Sequence, residues 1–592
     1  MFNRRRLLAK TRQAHGGVIT VIGMLASDDP TVGNVIIRGA KVPWMQQEQQ
    51  AHPASGLVDI VIHQGVVRAV EPSSTGKASR VSSASSRTNV IEADGRIALP
   101  GFIDTHSHAA AAVFDPQVQL ALLRQGVTSI VVGQDGLGSA PSTLASFQWS
   151  SSYFAGIDGR HPHFSGGSMA QLLESYQQGL AINVAALIPH GSLRYMVMGA
   201  SQEPASPQQI KLMVGHAQQA MSQGAVGIST GLEYVPATWA SSQELVALAK
   251  VAAAHGLPHV SHMRGYEARG VQAIQELMHI AQASGVATHI SHLHGPSKDL
   301  LAEVNRWIHL GFDLSFDSYP YLRGCSIVSL VALPNWLPLA DTQATLALLE
   351  DAPVRERIIA HIEGLKDTWE DTTLAWVPGQ DPQTGQALDW AQGRSVVEVA
   401  RIMGVSTGQA VLRMLIASQL RASCILPKPV TNSTESVLML SSHHAHMVGS
   451  DAIFAPWGNG ASGHPHPRGW GAFARYLAAC MPDRGLRVDD VDCDPDGVLH
   501  AGKWWSLNQA VEHLSARAAR RFRLAGRGHL APGAHGDVLL VDTDTVQDHA
   551  TYIHPKALAT GIDDVLVAGV PVLHQGELTG AKPGQALRPS NA

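Results

Sequence analysis

The chain has 592 residues, a formal net charge of -5 at pH 7, and 45% hydrophobic against 15% charged residues. That balance excludes a disordered scaffold, and with no long basic run it offers no footprint for nucleic acid or an anionic membrane, so a small molecule is the expected partner. Four scattered cysteines, Cys325, Cys424, Cys480 and Cys493, exclude a disulfide framework and point to a reducing, cytoplasmic compartment.

Residues 1–30 read as a poorly defined tail. A basic start and the apolar patch Val18 to Ala26 imitate a secretory signal only weakly, because Thr11, Arg12, Gln13 and two glycines intervene. No apolar run approaches the roughly 18 residues of a membrane span, so none is expected. Over 31–100, "VIIRGAKV", "VDIVIHQGVVRAVEP" and "VIEADGRIALPG" are short alternating strands with glycine turns, interrupted by a serine-rich loop, Ser73 to Ser86. The stretch 526–592 has the same texture in "HGDVLLVDTD" and "IDDVLVAGVPVLHQGELTG". The two chain ends are therefore expected to build one small β-sandwich.

Between them, over 101–525, apolar runs alternate with helical stretches such as Ser242 to Ala254 and Gly270 to Ala283. The runs lie around Ile103, Thr128 to Val132, Ile182 to Leu187, Ala225 to Ile228, Pro258 to Val260, Ala287 to Ile290, Phe312 to Phe316 and His446 to Val448. The expected fold class is α/β, a (β/α)8 TIM-like barrel plus the sandwich, with an insertion at about 341–430 before the last barrel strand.

Polar residues follow these runs in order, and in a barrel they converge on one face. His106 and His108 in "GFIDTHSH" stand two apart, on one side of an extended chain, and can offer two imidazoles to one ion. His262 in "HVSHMRGYE" and His292 in "THISHLHG" each end a run with a ligand-type side chain. Asp135, between two glycines in "GQDG", either caps a turn or points a charge into the site. Asp451 in "HMVGSDAIF" either caps a helix or accepts a proton from metal-activated water. Arg468, in the Gly/Pro stretch "SGHPHPRGWG" with His464 and His466, either clamps a substrate carboxylate or belongs to a solvated basic loop.

Together "LPGFIDTHSH", "LIPHGSLR", "GISTGLEYVP", "SHMR", "ISHLHG", "DSYPY", "VGSD", "HPHPRGWGAF" and "GDVLLVD" resemble the amidohydrolase superfamily and, within it, the N-acyl-D-amino-acid deacylases (D-aminoacylases). The likeness runs from about Val35 to Leu578. It implies hydrolysis of the amide bond of an N-acyl-D-amino acid by metal-activated water. His106 and His108 would hold one metal position and His262 and His292 the other. Asp451 would be the acid/base and Tyr319 of "DSYPY" the hydroxyl that polarises the carbonyl oxygen. Arg468 would grip the α-carboxylate, and His190 and Arg194 of "PHGSLR" match a family segment that we place with substrate binding.

Three positions depart from the family pattern. Asp135 falls where the family usually carries a bridging cysteine. The other bridge of the superfamily, a carbamylated lysine, has no candidate, since no lysine occurs between Lys77 and Lys211 and none ends a proposed strand. Asp135 is therefore the expected bridge and a metal ligand beside the four histidines and Asp451. The expected cofactor is Zn²⁺, one or two ions, with Mn²⁺ or another divalent ion admitted by the harder carboxylate oxygen. His294 stands where the family tends to have lysine, and Glu267 comes one residue later than usual. Another amidohydrolase activity (a D-peptidase, a cyclic-amide hydrolase or a different N-acyl amine deacylase) and a non-catalytic barrel scaffold are the alternatives.

Overall fold

The computed structural model describes residues 33–43, 56–73, 89–177, 179–455, 463–482, 484–489 and 504–590. The tail at 1–30 with its signal-like patch, residues 74–86 of the serine-rich loop and Cys493 lie outside the described residues.

The apolar runs of the central region become parallel strands: β1 (Phe102–Asp104), β2 (Val127–Val132), β3 (Asn183–Ala186), β4 (Ile228–Gly231), β5 (His259–His262), β6 (Thr288–Ile290), β7 (Leu314–Ser318) and β8 (His446–Val448). β1, β2 and β3 form one sheet. β4 to β8 follow in chain order in a second, which begins at Ile188–Pro189, just beyond the end of β3. Backbone bonds also link β8 to the segment after β1: Thr105 N–H donates to Val448 O at 3.3 Å and Asp451 N–H to His106 O at 2.8 Å.

These strands are buried on both faces, which is why they read as near-continuous apolar runs. Ile130, Val132, Ile228 and Phe316 pack outward among the helices, while Ile103, Val131, Ala185, Val260 and Met447 meet in a separate inner cluster. The helix Ser242–Ala254 forms as expected, with the Ser241 hydroxyl capping the Glu244 N–H, and Gly270–Ser284 ends at left-handed Gly285. One strand is displaced from its apolar run. Ala225 and Val226 are buried, but Gly227 breaks the extended chain at φ +156°, and the ladder runs on through polar Ser229 to Gly231.

The two chain ends meet in one sheet. Ile97–Pro100, from the N-terminal region, pairs antiparallel with Val538–Val541 in a sheet that continues through Ile562–Val567 and Val570–His574. A four-stranded sheet carries Val35–Ala40, Val58–His63, Val66–Pro72 and Asn89–Glu92. Side chains alternate along "VLLV": Val538 and Leu540 join Val35, Ile37 and Ile60 in one core, and Leu539 and Val541 join the main core.

Before β8 a three-stranded antiparallel sheet (Cys325–Ile327, Ser423–Ile425, Thr373–Trp376) carries helices such as Ala352–Glu363 and Thr407–Ala417. Its core, with Trp369, Leu374 and Val411, also takes in Phe154, Tyr234 and Ile453 from segments beyond the ends of the parallel strands. This sheet starts at Cys325, ahead of the expected 341. No single helix among the described residues is long and apolar enough to cross a membrane.

Candidate metal centre

Parallel strands present their C-terminal ends on one side, and the last residue of β5 with the segments that follow β1, β2, β6 and β8 bring six of the expected residues together there. Asp135 is the hub. Its Oδ1 stands 3.5 Å from His106 Nε2 and 3.6 Å from His292 Nε2, and its Oδ2 stands 3.5 Å from His108 Nε2 and 3.7 Å from His262 Nδ1. Each oxygen thus faces one imidazole of each pair. Within the pairs, His106 Nε2 and His108 Nε2 are 3.4 Å apart, and His262 Nδ1 and His292 Nε2 are 3.1 Å apart.

Ligands about 2.0–2.1 Å from one tetrahedral ion stand roughly 3.3–3.4 Å from each other, so these separations suit shared coordination. Asp135 Oδ1 is buried and has no hydrogen-bond partner. Two triads, His106/His108/Asp135 and Asp135/His262/His292, each keep their ligand atoms within 4.8 Å. The residues therefore fit one or two divalent ions with Asp135 shared between them.

Backbone geometry aims these groups. Asp135, His292 and Asp451 lie in the left-handed region at φ +55°, +35° and +50°, a conformation that costs non-glycine residues of order 1–3 kcal/mol and gathers at functional sites. The Asp135 loop is pinned at several points. Gln134 Nε2 donates to Thr105 O at 2.8 Å, Gly136 N–H donates to Ser229 Oγ at 3.1 Å, and Ser192 N–H donates to Gly136 O at 3.1 Å. Gly231 makes room for it, because a Cβ there would stand 1.9 Å from the Asp135 carbonyl oxygen.

Second partners orient the rings. His108 Nδ1 bonds Asp158 at 2.8 Å, His262 Nε2 bonds Glu233 at 3.1 Å, and Asp317 lies 3.6 Å from His106 Nδ1 while bonding His289 and the His292 N–H, each at 2.8 Å. A carboxylate behind an imidazole holds the proton on the far nitrogen and leaves the near lone pair for a cation. The field has the same sign. Burial pushes His262 down, but Asp135 and Glu233 raise it to about 9, and His106 and His108 are also raised against burial, chiefly by Asp135 and Asp158 respectively. Burial opposes the charge on Asp135, yet His106 and His262 hold it well below the ordinary carboxylate range.

Asp451 reaches His108 Nε2 at 3.2 Å through Oδ1 and Arg468 Nη2 at 2.7 Å through Oδ2. Arg468 Nε also donates to Asp451 O at 2.7 Å. Burial raises the Asp451 carboxyl, and Arg468 and the bond to His108 outweigh that and lower it. Arg468 is fully buried, with its guanidinium 4.6 Å from the centre of the Tyr319 ring. Burial pushes the Tyr319 hydroxyl up, so it stays protonated.

A cavity of about 580 Å³ opens on this cluster and is lined by His108, Asp135, His262, His292, Asp451, Tyr319 and His294, the last stacked on Tyr266 at 4.6 Å. Arg468, His190 and Arg194 are not among its lining residues. His190 Nε2 bonds Glu244 at 2.7 Å and Arg194 pairs with the other Glu244 oxygen, all three fully buried. Sequence reading missed Asp158, Glu233 and Glu244. Glu233 carried a usable signal, a carboxylate just past a strand end as at Asp135. Asp158 sits in a long loop with no such marker, and Glu244 reads as an ordinary first-turn acid of a helix.

The chain matches the model of the Amidohydrolase family over residues 89–573. It is 31% identical to an N-acyl-D-glutamate deacylase of Alcaligenes xylosoxydans xylosoxydans over 506 residues, 84% of this chain and 88% of that one. It is 28% identical to a D-aminoacylase of the same organism, again over 84% and 88% of the two chains. Among solved structures, the N-acyl-D-glutamate deacylase of Bordetella bronchiseptica, complexed with zinc and a phosphonate mimic of the tetrahedral intermediate, superposes with a TM-score of 0.70 at 26% identity, covering 94% of this chain and 99% of that one.

Proposed function

Because the chain belongs to the amidohydrolase family, we propose that it is a metal-dependent hydrolase that cleaves the amide bond of N-acyl-D-amino acids, releasing a carboxylate and a D-amino acid. One observation carries this reading: the buried Asp135 carboxylate, each of whose oxygens faces one imidazole of both histidine pairs at 3.5–3.7 Å, at the wall of a ligand-sized cavity. The named relatives are an N-acyl-D-glutamate deacylase and a D-aminoacylase, and the Bordetella structure is complexed with zinc. His106 and His108 would hold one ion and His262 and His292 the other, with Asp135 between them; Zn²⁺ suits the imidazoles and Mn²⁺ the carboxylate. A divalent ion there supplies Lewis-acid polarisation and a water of lowered pKa.

The chain's own groups do the rest. Asp451, kept ionised by Arg468, takes the proton of the attacking water and returns it to the leaving nitrogen. Tyr319, a protonated phenol lining the cavity, donates to the carbonyl oxygen as negative charge develops on it. His294 lines the cavity where the substrate's amino-acid half would lie. Arg468 serves in this reading to place and charge Asp451, and the buried His190–Glu244–Arg194 cluster to fix the helix His190–Met198, whose Ser192 braces Gly136.

The architecture that fits this chemistry is a (β/α)8 barrel of β1 to β8, which the backbone bonds from Thr105 and Asp451 support, with a β-sandwich from both chain ends, supported by the shared core of Val35, Ile60 and Val538. Its parts are 31–100 and 526–592 around a barrel at 101–525. The test is release of free amine from a panel of N-acetyl-D- and N-acetyl-L-amino acids by the metal-loaded protein. Turnover of the D series supports the proposal, and turnover confined to the L series or none at all refutes it.

A further inference from the structure

The cavity at the metal centre has two unlike walls. One, from Glu233, Tyr266, Arg269 and His294, is polar, with Arg269 at its exposed end paired to Glu233 at 2.7 Å. The other is mainly apolar and comes from the segment that carries the three-stranded sheet: Leu330, Val331, Leu426, Pro427 and Pro429 line it, with the polar Ser326, Thr368 and Asn432 of the same segment among them. In the short helix Val328–Ala332, Val328 and Ala332 are buried in that segment's own core, while Leu330 and Val331 keep part of their surface uncovered and line the cavity. Leu426 and Pro427, just past the strand Ser423–Ile425, are likewise half-buried and line it. Uncovered apolar side chains gathered beside polar catalytic groups mark the place of an apolar part of the ligand.

Size points the same way. An N-acetyl amino acid with a small side chain occupies on the order of 150–200 Å³, whereas a cavity of about 580 Å³ belongs to the range that encloses drug-sized ligands. Among the described residues that line this wall there is no lysine or arginine, and the arginine among the lining residues, Arg269, stands on the polar side.

We infer that the wall of Leu330, Val331, Leu426 and Pro427 seats a medium-chain fatty acyl group, so that the preferred substrates are N-acyl amino acids with acyl chains of about six to ten carbons rather than N-acetyl compounds. This rests on the proposed amide hydrolysis and adds the acyl class. The scissile carbonyl lies at the metal centre, the acyl chain runs along the apolar wall, and the amino-acid half faces His294 and Arg269.

The experiment measures kcat/KM of the metal-loaded full chain on N-acetyl-, N-butanoyl-, N-hexanoyl- and N-octanoyl-D-alanine, beside a second series with acetyl fixed and the D-side chain lengthened. Each methylene buried on the wall raises kcat/KM roughly threefold to fourfold, giving octanoyl an advantage over acetyl of at least about 100-fold. Leu330→Asn and Val331→Asn each lower the octanoyl-to-acetyl ratio at least tenfold; because this is a ratio within one protein sample, partial misfolding does not imitate it. A flat or falling acyl series, or a gain that appears only in the side-chain series, overturns this inference and leaves the hydrolase reading standing. No turnover of any compound with metal bound overturns both.

Discussion

Replacing Gly231 by alanine tests whether the position of Asp135, and not only its presence, matters. An added Cβ would stand 1.9 Å from the Asp135 carbonyl oxygen and 2.6 Å from its carbonyl carbon, both backbone atoms that cannot rotate away. Reaching even the 3.0 Å that real contacts keep requires a shift of about 1.1 Å, against a metal–ligand tolerance of roughly 0.2 Å. The loop is tied through Gly136 to Ser229, on the same strand as Gly231, and through Gln134 to Thr105, so a shift at the Asp135 backbone is taken up by the loop and carries the carboxylate off the four imidazoles. We expect a loss of about 1–3 kcal/mol of stability from overpacking and, from misplacement of about 1 Å, at least a 100-fold fall in kcat/KM. Metal content by elemental analysis, steady-state amide hydrolysis and urea unfolding read these out. Gly215→Ala is the control: it sits within the helix Pro207–Ser222 with nothing within 4 Å of the added carbon, and should stabilise by about 0.5–1 kcal/mol with unchanged activity. Full metal content and rate in Gly231→Ala would refute the reasoning.

Asp451→Asn should keep its metal and lose most of kcat, since the amide preserves the shape but accepts no proton; loss of metal instead would make Asp451 chiefly a ligand. Asp158→Ala should weaken metal binding roughly 10- to 100-fold by freeing His108 to turn, and unchanged affinity in a chelator competition would remove that role. Glu244→Gln should cost about 3–5 kcal/mol at pH 7, because it leaves buried Arg194 without its counter-charge. Burial raises the Glu244 carboxyl, but His190 and Arg194 bring it below its ordinary 4.5. The folded chain therefore binds that proton more weakly than the unfolded chain, and the contribution is complete above pH 4.5 and lost as pH falls through the lower folded value. Urea midpoints of wild type and variant should converge in acid; a gap that widens there would contradict the sign.

Much of the centre was legible in the sequence because metal chemistry leaves short, local marks. His106 and His108 share one side of an extended segment, and His262, His292 and Asp451 each end or follow a buried run. The helix Ser242–Ala254 was legible as an alanine-rich helical stretch, and the structure adds the Ser241 hydroxyl that caps it. What local pattern does not carry is who covers whom. "SGHPHPRGWG" reads as a Gly/Pro loop whose Arg468 either clamps a substrate carboxylate or faces solvent, yet Arg468 opens the helix Arg468–Ala478 and is fully buried against Asp451. Gly231 reads as one more strand-end glycine, and its necessity comes from the Asp135 carbonyl, 96 positions earlier in the chain. His190 and Arg194 resemble site residues in sequence, but their partner is Glu244 on a later helix.

The most direct test of the central claim is the metal content per chain of the wild type, Asp135→Ala and Asp135→Cys, each loaded with Zn²⁺ and desalted. If Asp135 ties the two histidine pairs to shared ions, the wild type retains metal, the alanine variant loses most of it, and the cysteine variant, with another competent ligand in place, keeps a measurable share. Equal metal in wild type and Asp135→Ala would contradict the account.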